Sequence, residues 1–179
     1  MLSRHGIRYP GKKDLVNGHA LMSQLQRHGV RPSTLNHLQS VLDLFPLSQA
    51  SLLTPAGAKE QFHLGRRTGQ RFASTFHKND HLTFVSSSTP RAVSSAKNFA
   101  EGFNKGAGWN GSLTYRERDD LLRFFDLCPQ YITQVKTNKS AFAEYEKFRS
   151  SMFPHIVQRI LSRLSTDGLN ISDGNVCSA

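Results

Sequence analysis

Between residues 82 and 107 the chain carries a pattern that few folds accommodate. Leu82-Thr83-Phe84-Val85-Ser86 is a short apolar run rich in strand formers, and it empties into the polar turn Ser87-Ser88-Thr89. Pro90 then stands where a helix begins and Arg91 falls in its first turn. Val93, Ala96, Ala100, Phe103 and Ala107 follow at helical spacing. Strand, turn and helix in that order are what one half of a parallel β-α-β unit carries. The order also places a helix N-terminus, with its unbonded N–H groups and positive dipole end, at the carboxyl edge of the strand. An arginine in that first turn makes an anion site.

The N-terminus supplies a second cationic loop. In Arg4-His5-Gly6-Ile7-Arg8-Tyr9-Pro10 an imidazole lies among guanidinium groups, beside a glycine that lets a ligand approach the backbone. Guanidinium is the natural fork for phosphate, and imidazole is a competent nucleophile at phosphorus. Met1-Leu2-Ser3 reads as the tail of another parallel strand. Both arginine-bearing loops would then leave one sheet edge, where open α/β folds bind ligands.

Further elements follow in order. Leu53-Thr54-Pro55-Ala56-Gly57 opens a helix containing Leu64-Gly65, Ser87 to Ala96 forms the turn and helix start, and Arg123-Phe124-Phe125-Asp126-Leu127-Cys128-Pro129 comes later. The ordered set resembles the histidine acid phosphatase family, most closely its multiple inositol polyphosphate phosphatase, phytase-like branch. A lone Arg-His-Gly is weak evidence. The short phosphoglycerate-mutase-like relatives share it, but lack the Arg8-Tyr9-Pro10 continuation.

The resemblance implies an α/β fold: a partial histidine-phosphatase (phosphoglycerate-mutase-like) core followed by the start of a helical cap domain. Residues 1–109 would be the N-terminal part of the core, and 110–179 the start of the cap with a frayed tail. His5 would be the nucleophile, forming a phosphohistidine, with Arg4, Arg8 and Arg91 holding the phosphoryl group. Lys12 and Lys13 would meet further phosphates of a polyanion, though a solvated basic turn explains them equally well. The implied substrates are inositol polyphosphates, with 2,3-bisphosphoglycerate second. No cofactor and no metal are implied, and the setting would be the endoplasmic reticulum lumen or the secretory route. The family's later His-Asp or His-Ala-Glu, which supplies the leaving-group acid, has no match among these 179 residues. The chain therefore reads as the N-terminal portion of such an enzyme, with a non-catalytic fragment or polyanion-binding module as the rival. Asp119, Asp120 and Asp126 are the carboxylates to test as a substitute acid.

Charge and composition narrow the alternatives. The net charge of +10 is uneven: residues 1–91 hold 12 Lys/Arg against 4 Asp/Glu, and residues 92–179 hold 11 against 9. The excess lies with the anion loops. No RNA-binding or zinc-finger pattern points to nucleic acid, and no run approaches the roughly 18 apolar residues of a membrane span. Arg4 and His5 interrupt any apolar run before it starts, so these first residues are not expected to act as a secretory leader. His19, His28, His37, His63, His77, His81 and His155 are scattered without metal-ligand spacing. Cys128 and Cys177 form no motif, and their pairing stays open. Three N-x-S sequons, at Asn110, Asn138 and Asn170, are weak support for a secretory route.

The remaining periodicities predict helices over 14–28, 35–44, 55–76, 140–148 and 154–164. In the third, Ala58, Phe62, Gly65, Gly69, Phe72 and Phe76 form an inner stripe against the sheet. Residues 105–118 are glycine-rich and polar, and read as a loop or excursion.

Overall fold

A computed structural model describes residues 2–77, 80–109 and 111–164. Asn110, Asn170 and Cys177, named above, lie outside them. In chain order, α1 spans Lys12–Arg27, α2 Pro32–Asp43, α3 Pro55–Phe72, β1 His81–Ser86 and α4 Pro90–Ala107. Then come β2 at Ser112–Glu117, α5 at Asp119–Leu122, α6 at Pro129–Tyr131 and α7 at Ala143–Arg163. By contacts the chain divides into two units: Met1–Tyr9 with Ser51–Tyr131, and Pro10–Ala50 with Ile132–Ala179.

The first unit is built on α3, α4 and the sheet. Thr54 caps α3 by accepting the Gly57 N–H at 3.0 Å, and Pro55 occupies the first helical position, where no N–H is needed. Helix α4 also starts on a proline, and ends at Gly108 in the left-handed region at φ +61°. The two helices meet backbone to backbone. A Cβ at Gly65 would collide with the Phe99 carbonyl, one at Gly69 with that of Phe103, and one at Gly102 with that of Phe62. Paired small residues four apart on each helix permit this approach. The expected stripe is thereby corrected. The buried face of α3 is Gly57, Gln61, Gly65 and Gly69; Gly65 and Gly69 meet α4 rather than the sheet, and Gly57 meets the backbone of Ile7. Phe72 is left 43% exposed.

The strand–turn–helix reading of 82–107 matches β1 and α4 closely. Strand β1 pairs in parallel with β2, from His81 opposite Ser112 to Ser86 opposite Glu117. The expectation of a loop over 105–118 is therefore wrong for 112–117, and the expected boundary at 109/110 falls between two paired strands. Leu113, Thr114 and Tyr115 are good strand formers that flanking glycines disguise. Phe84 anchors the sheet to the helix, with ring centroids 6.1 Å from Phe99, Phe103 and Tyr115 alike.

The expected strand tail at Met1-Leu2-Ser3 is also corrected. Leu2 to Ile7 form no strand, and the described sheet has two strands only. Backbone groups of this segment bond to side chains instead, the Arg4 carbonyl accepting from Gln61 and the Gly6 N–H donating to Ser95. Arg8 instead forms an isolated antiparallel bridge to Leu53, with Tyr9 N–H donating to the Leu52 carbonyl at 2.9 Å.

The second unit is helical. Leu25 and Val30 form its buried centre, packed by Leu21, Leu35, Leu38, Leu161 and Leu164. Gly29, at φ +72°, turns the chain between α1 and α2. The two helices expected over 140–148 and 154–164 are one, α7, which continues through Pro154. The carbonyl that loses its donor to Pro154 belongs to the exposed Ser150, so water can serve it. Tyr145, Phe148, Met152, Ile156 and Ile160 are all exposed at three- and four-residue spacing. No helix among the described residues is long and apolar enough to cross a membrane.

Candidate active site

The loop from Arg4 to Ile7 is held by four side chains. The Thr54 hydroxyl that caps α3 donates to the Ile7 carbonyl at 3.0 Å, and Glu60 accepts the Ile7 N–H at 3.2 Å. The buried Gln61 amide donates to the Arg4 carbonyl at 3.3 Å. The Ser95 hydroxyl accepts the Gly6 N–H at 3.1 Å. Gly6 lies so close to α3 that an added Cβ would stand 2.5 Å from the Gly57 carbonyl oxygen. Any larger residue at Gly6 would lift the loop off the helix.

This loop sets the chemistry of His5. Its Nδ1 lies 2.8 Å from the Gly6 carbonyl. A carbonyl only accepts, so in the neutral imidazole Nδ1 carries the proton and Nε2 keeps its lone pair. A half-buried imidazole in that tautomer presents a nucleophilic nitrogen at a defined place.

Beside β1 lies a cavity of about 950 Å³. Its polar lining includes Arg4, His5, Ser87, Thr89, Arg91 and Arg123 with Gln61 and Ser95, and its apolar lining includes Phe84, Phe99, Phe103 and Phe125. Thr89, the N-cap residue of α4, makes no side-chain cap; its hydroxyl instead meets that of Ser87 at 3.0 Å. The Arg91 Nε is buried without a hydrogen-bond partner. A buried guanidinium nitrogen left unbonded costs free energy, and an anion in the cavity would satisfy it.

The structure therefore brings three of the expected residues, Arg4, His5 and Arg91, to one cavity. Arg8 is not among the lining residues: it is exposed and its Nη1 donates to the Tyr9 carbonyl at 2.8 Å. Lys12 and Lys13 lie exposed in the first turn of α1, in the other unit.

Arg123 lines the cavity without having been singled out as a site residue. Its Nε and Nη2 both reach Asp126 Oδ2, at 2.9 and 2.7 Å. The signal was present in the segment Arg123 to Pro129, where Arg and Asp stand three apart. For Gln61 the sequence held no such signal.

The three acid candidates are all engaged as acceptors. Asp119 takes the Ser88 hydroxyl at 2.5 Å and the Ser88 N–H at 2.9 Å, bonds that hold its carboxyl below the usual carboxylate range. Asp120 is held below that range by a two-pronged bond from Arg118, at 2.8 and 2.6 Å. Asp126 carries the Arg123 pair. Among the described residues no three His, Cys, Asp or Glu side chains group as metal ligands do.

Comparison with known proteins agrees with this geometry. The family profile "histidine phosphatase superfamily (branch 2)" matches residues 1–178. The chain is 27% identical to multiple inositol polyphosphate phosphatase 1 of Gallus gallus, over 82% of this chain and 33% of that protein. It is also 27% identical to the Homo sapiens protein of the same name, over 83% of this chain and 35% of that one. Phytase A of Arthroderma benhamiae is 28% identical, over 99% and 39% respectively. Among solved structures, the phytase from D. castellii superposes with a TM-score of 0.68 at 21% identity, over 98% of this chain and 41% of that one. The match bears out the α/β histidine-phosphatase fold. The chain spans about a third of the length of the curated relatives it matches.

Proposed function

We propose that this chain, which belongs to branch 2 of the histidine phosphatase superfamily, carries the nucleophile and the phosphate-holding residues of a phosphomonoester hydrolase. Its substrates are highly phosphorylated small molecules, inositol polyphosphates first and 2,3-bisphosphoglycerate second. One observation carries this reading: His5, with Nδ1 bonded to Gly6, lines the same cavity as Arg91, whose Nε is buried and unbonded.

The chemistry follows from those atoms. His5 Nε2 attacks phosphorus, a P–N bond forms, and the ester P–O bond breaks as the leaving oxygen takes a proton. Water then attacks the phosphohistidine, releasing inorganic phosphate and the free imidazole. Arg4 and Arg91 hold the equatorial oxygens, where charge builds in the transition state. Arg8 joins them by giving up its bond to the Tyr9 carbonyl.

Proton delivery to the leaving oxygen is the step these residues do not provide, since Asp119, Asp120 and Asp126 are each engaged by Ser88, Arg118 and Arg123. A positioned acid contributes about 10²–10⁴ in rate. By itself the chain therefore turns over activated aryl phosphates, whose leaving groups need little protonation, far better than alkyl esters. The helices within 110–179 begin the cap, and the setting is the endoplasmic reticulum lumen or the secretory route, with Asn138 as a glycan acceptor.

The test is covalent trapping. After brief exposure to a radiolabelled aryl phosphate and an alkaline quench, label appears on His5 and is absent from His5→Ala. A chain that binds orthovanadate yet never labels supports the second reading, a non-catalytic polyanion binder, which the net charge of +10 favours.

A further inference from the structure

The turn that delivers Arg91 to the cavity is gripped from behind by one carboxylate. Strand β2 runs parallel to β1, and the Arg118 N–H extends the ladder to the Ser86 carbonyl at 2.9 Å. The next residue, Asp119, is thereby brought against Ser88. Its two oxygens serve that single residue, Oδ1 taking the backbone N–H at 2.9 Å and Oδ2 the hydroxyl at 2.5 Å. Holding a backbone and a side-chain donor of one residue together fixes the orientation of its peptide. Ser88 itself does not line the cavity, but its neighbours Ser87 and Thr89 do, and Thr89 accepts the Ala92 and Val93 N–H groups that start α4.

Coulomb's law alone argues against a carboxylate here. Asp120 and Asp126 have arginine partners, whereas Asp119 is bonded to Ser88 and feels Arg123 at longer range. An anion site gains nothing from a nearby negative charge unless that charge holds something in place. We propose that Asp119 is a positioning residue, which by gripping Ser88 sets the turn that carries Ser87, Thr89 and Arg91 into the cavity. The proposal rests on the reading that this cavity receives a phosphoryl group.

Asp119 stays ionised down to acid pH, because the Ser88 hydroxyl and N–H, and then Arg123, favour its charged form, while burial and Asp126 oppose it. Arg118 and Asp120, the flanking charges, are bonded to each other. The grip is therefore complete above pH ~4 and is lost only as pH falls through the lowered value.

Two readouts on the full chain test this. In the first, Asp119→Asn and Ser88→Ala each weaken orthovanadate binding about tenfold, and the double variant binds no more weakly than either. Asp120→Asn removes the same charge one residue along and leaves binding unchanged or tighter. In the second, acidification below pH ~4 moves the NMR resonances of the Ser88 amide and the Arg91 Nε–H with one midpoint, and Asp119→Asn abolishes both movements. Orthovanadate binding that is unchanged or tightened in Asp119→Asn overturns the proposal, since charge relief would then be the only effect. An Arg91 signal that ignores the Asp119 titration overturns it too. If the parent chain binds no orthovanadate, the phosphoryl-site reading fails, and the resonance pair still decides whether Asp119 positions Arg91.

Discussion

Ser95 and Gly6, 89 positions apart, meet in a buried hydrogen bond: the Ser95 hydroxyl accepts the Gly6 N–H at 3.1 Å while donating to the Arg91 carbonyl at 2.7 Å. One oxygen atom thus ties the backbone beside His5 to the backbone of Arg91. Ser95→Ala leaves the Gly6 N–H unpaired in a buried place and costs about 1–3 kcal/mol. A fall of roughly 2–4 °C in Tm per kcal/mol measures the cost in a chain of this size. Orthovanadate binding should weaken as well, because the two halves of the site lose their common anchor. A variant with parental Tm and binding would show the link to be incidental.

Arg91→Ala should weaken orthovanadate binding by about 10²-fold, the scale of losing a charge-assisted donor aimed at developing charge. Arg8→Ala should cost less. To reach the anion, Arg8 must release the Tyr9 carbonyl, and a hydrogen bond worth about 1 kcal/mol offsets a factor of about five. Titration of both variants by calorimetry checks the order. Equal losses would mean that Arg8 swings in without that penalty.

The α3–α4 contact has no room to yield. Gly102→Ala drives a methyl group into the Phe62 carbonyl, and unlike a side-chain clash this one can be relieved only by moving a helix. Overpacking costs typically about 1–3 kcal/mol, and a backbone neighbour puts this site at the upper end or beyond. Gly108→Ala meets nothing within 4 Å and bears only the left-handed strain of φ +61°, about 1–2 kcal/mol. Urea denaturation of the two variants should rank them in that order.

Strand β1 is paired on one edge within the described sheet, and Val85 on it is 40% exposed. An unpaired edge with apolar residues invites association with a second copy. Sedimentation should show concentration-dependent self-association, reduced by Thr83→Lys, which sets a charge at an exposed position of that edge. A chain that stays monomeric at high concentration would show the edge to be protected.

Local signals were legible wherever a short stretch carries its own instruction. Thr54-Pro55 announced the start of α3, Pro90 that of α4, and the run at 82–86 gave β1 within one residue. Capping chemistry and the missing proline N–H act over one helical turn, so no distant residue is needed to read them. The same locality misled at Pro154, where an exposed helix tolerates a proline that a buried one would not, and at 112–117, where flanking glycines hid a strand.

The cationic loops and their histidine were determined by the sequence alone: residue types suited to phosphate, in an order that names a family. Only the tertiary structure decided which of them share a cavity. Arg4, His5 and Arg91 meet because the Ser95 hydroxyl and Gln61 amide bridge segments far apart in the chain, and because β2 delivers Asp119 to Ser88. Such contacts depend on packing distances of a few ångströms between α3, α4 and the sheet. Gly65 and Gly102 permit those distances, but a glycine in a sequence does not say which backbone will come to lie against it.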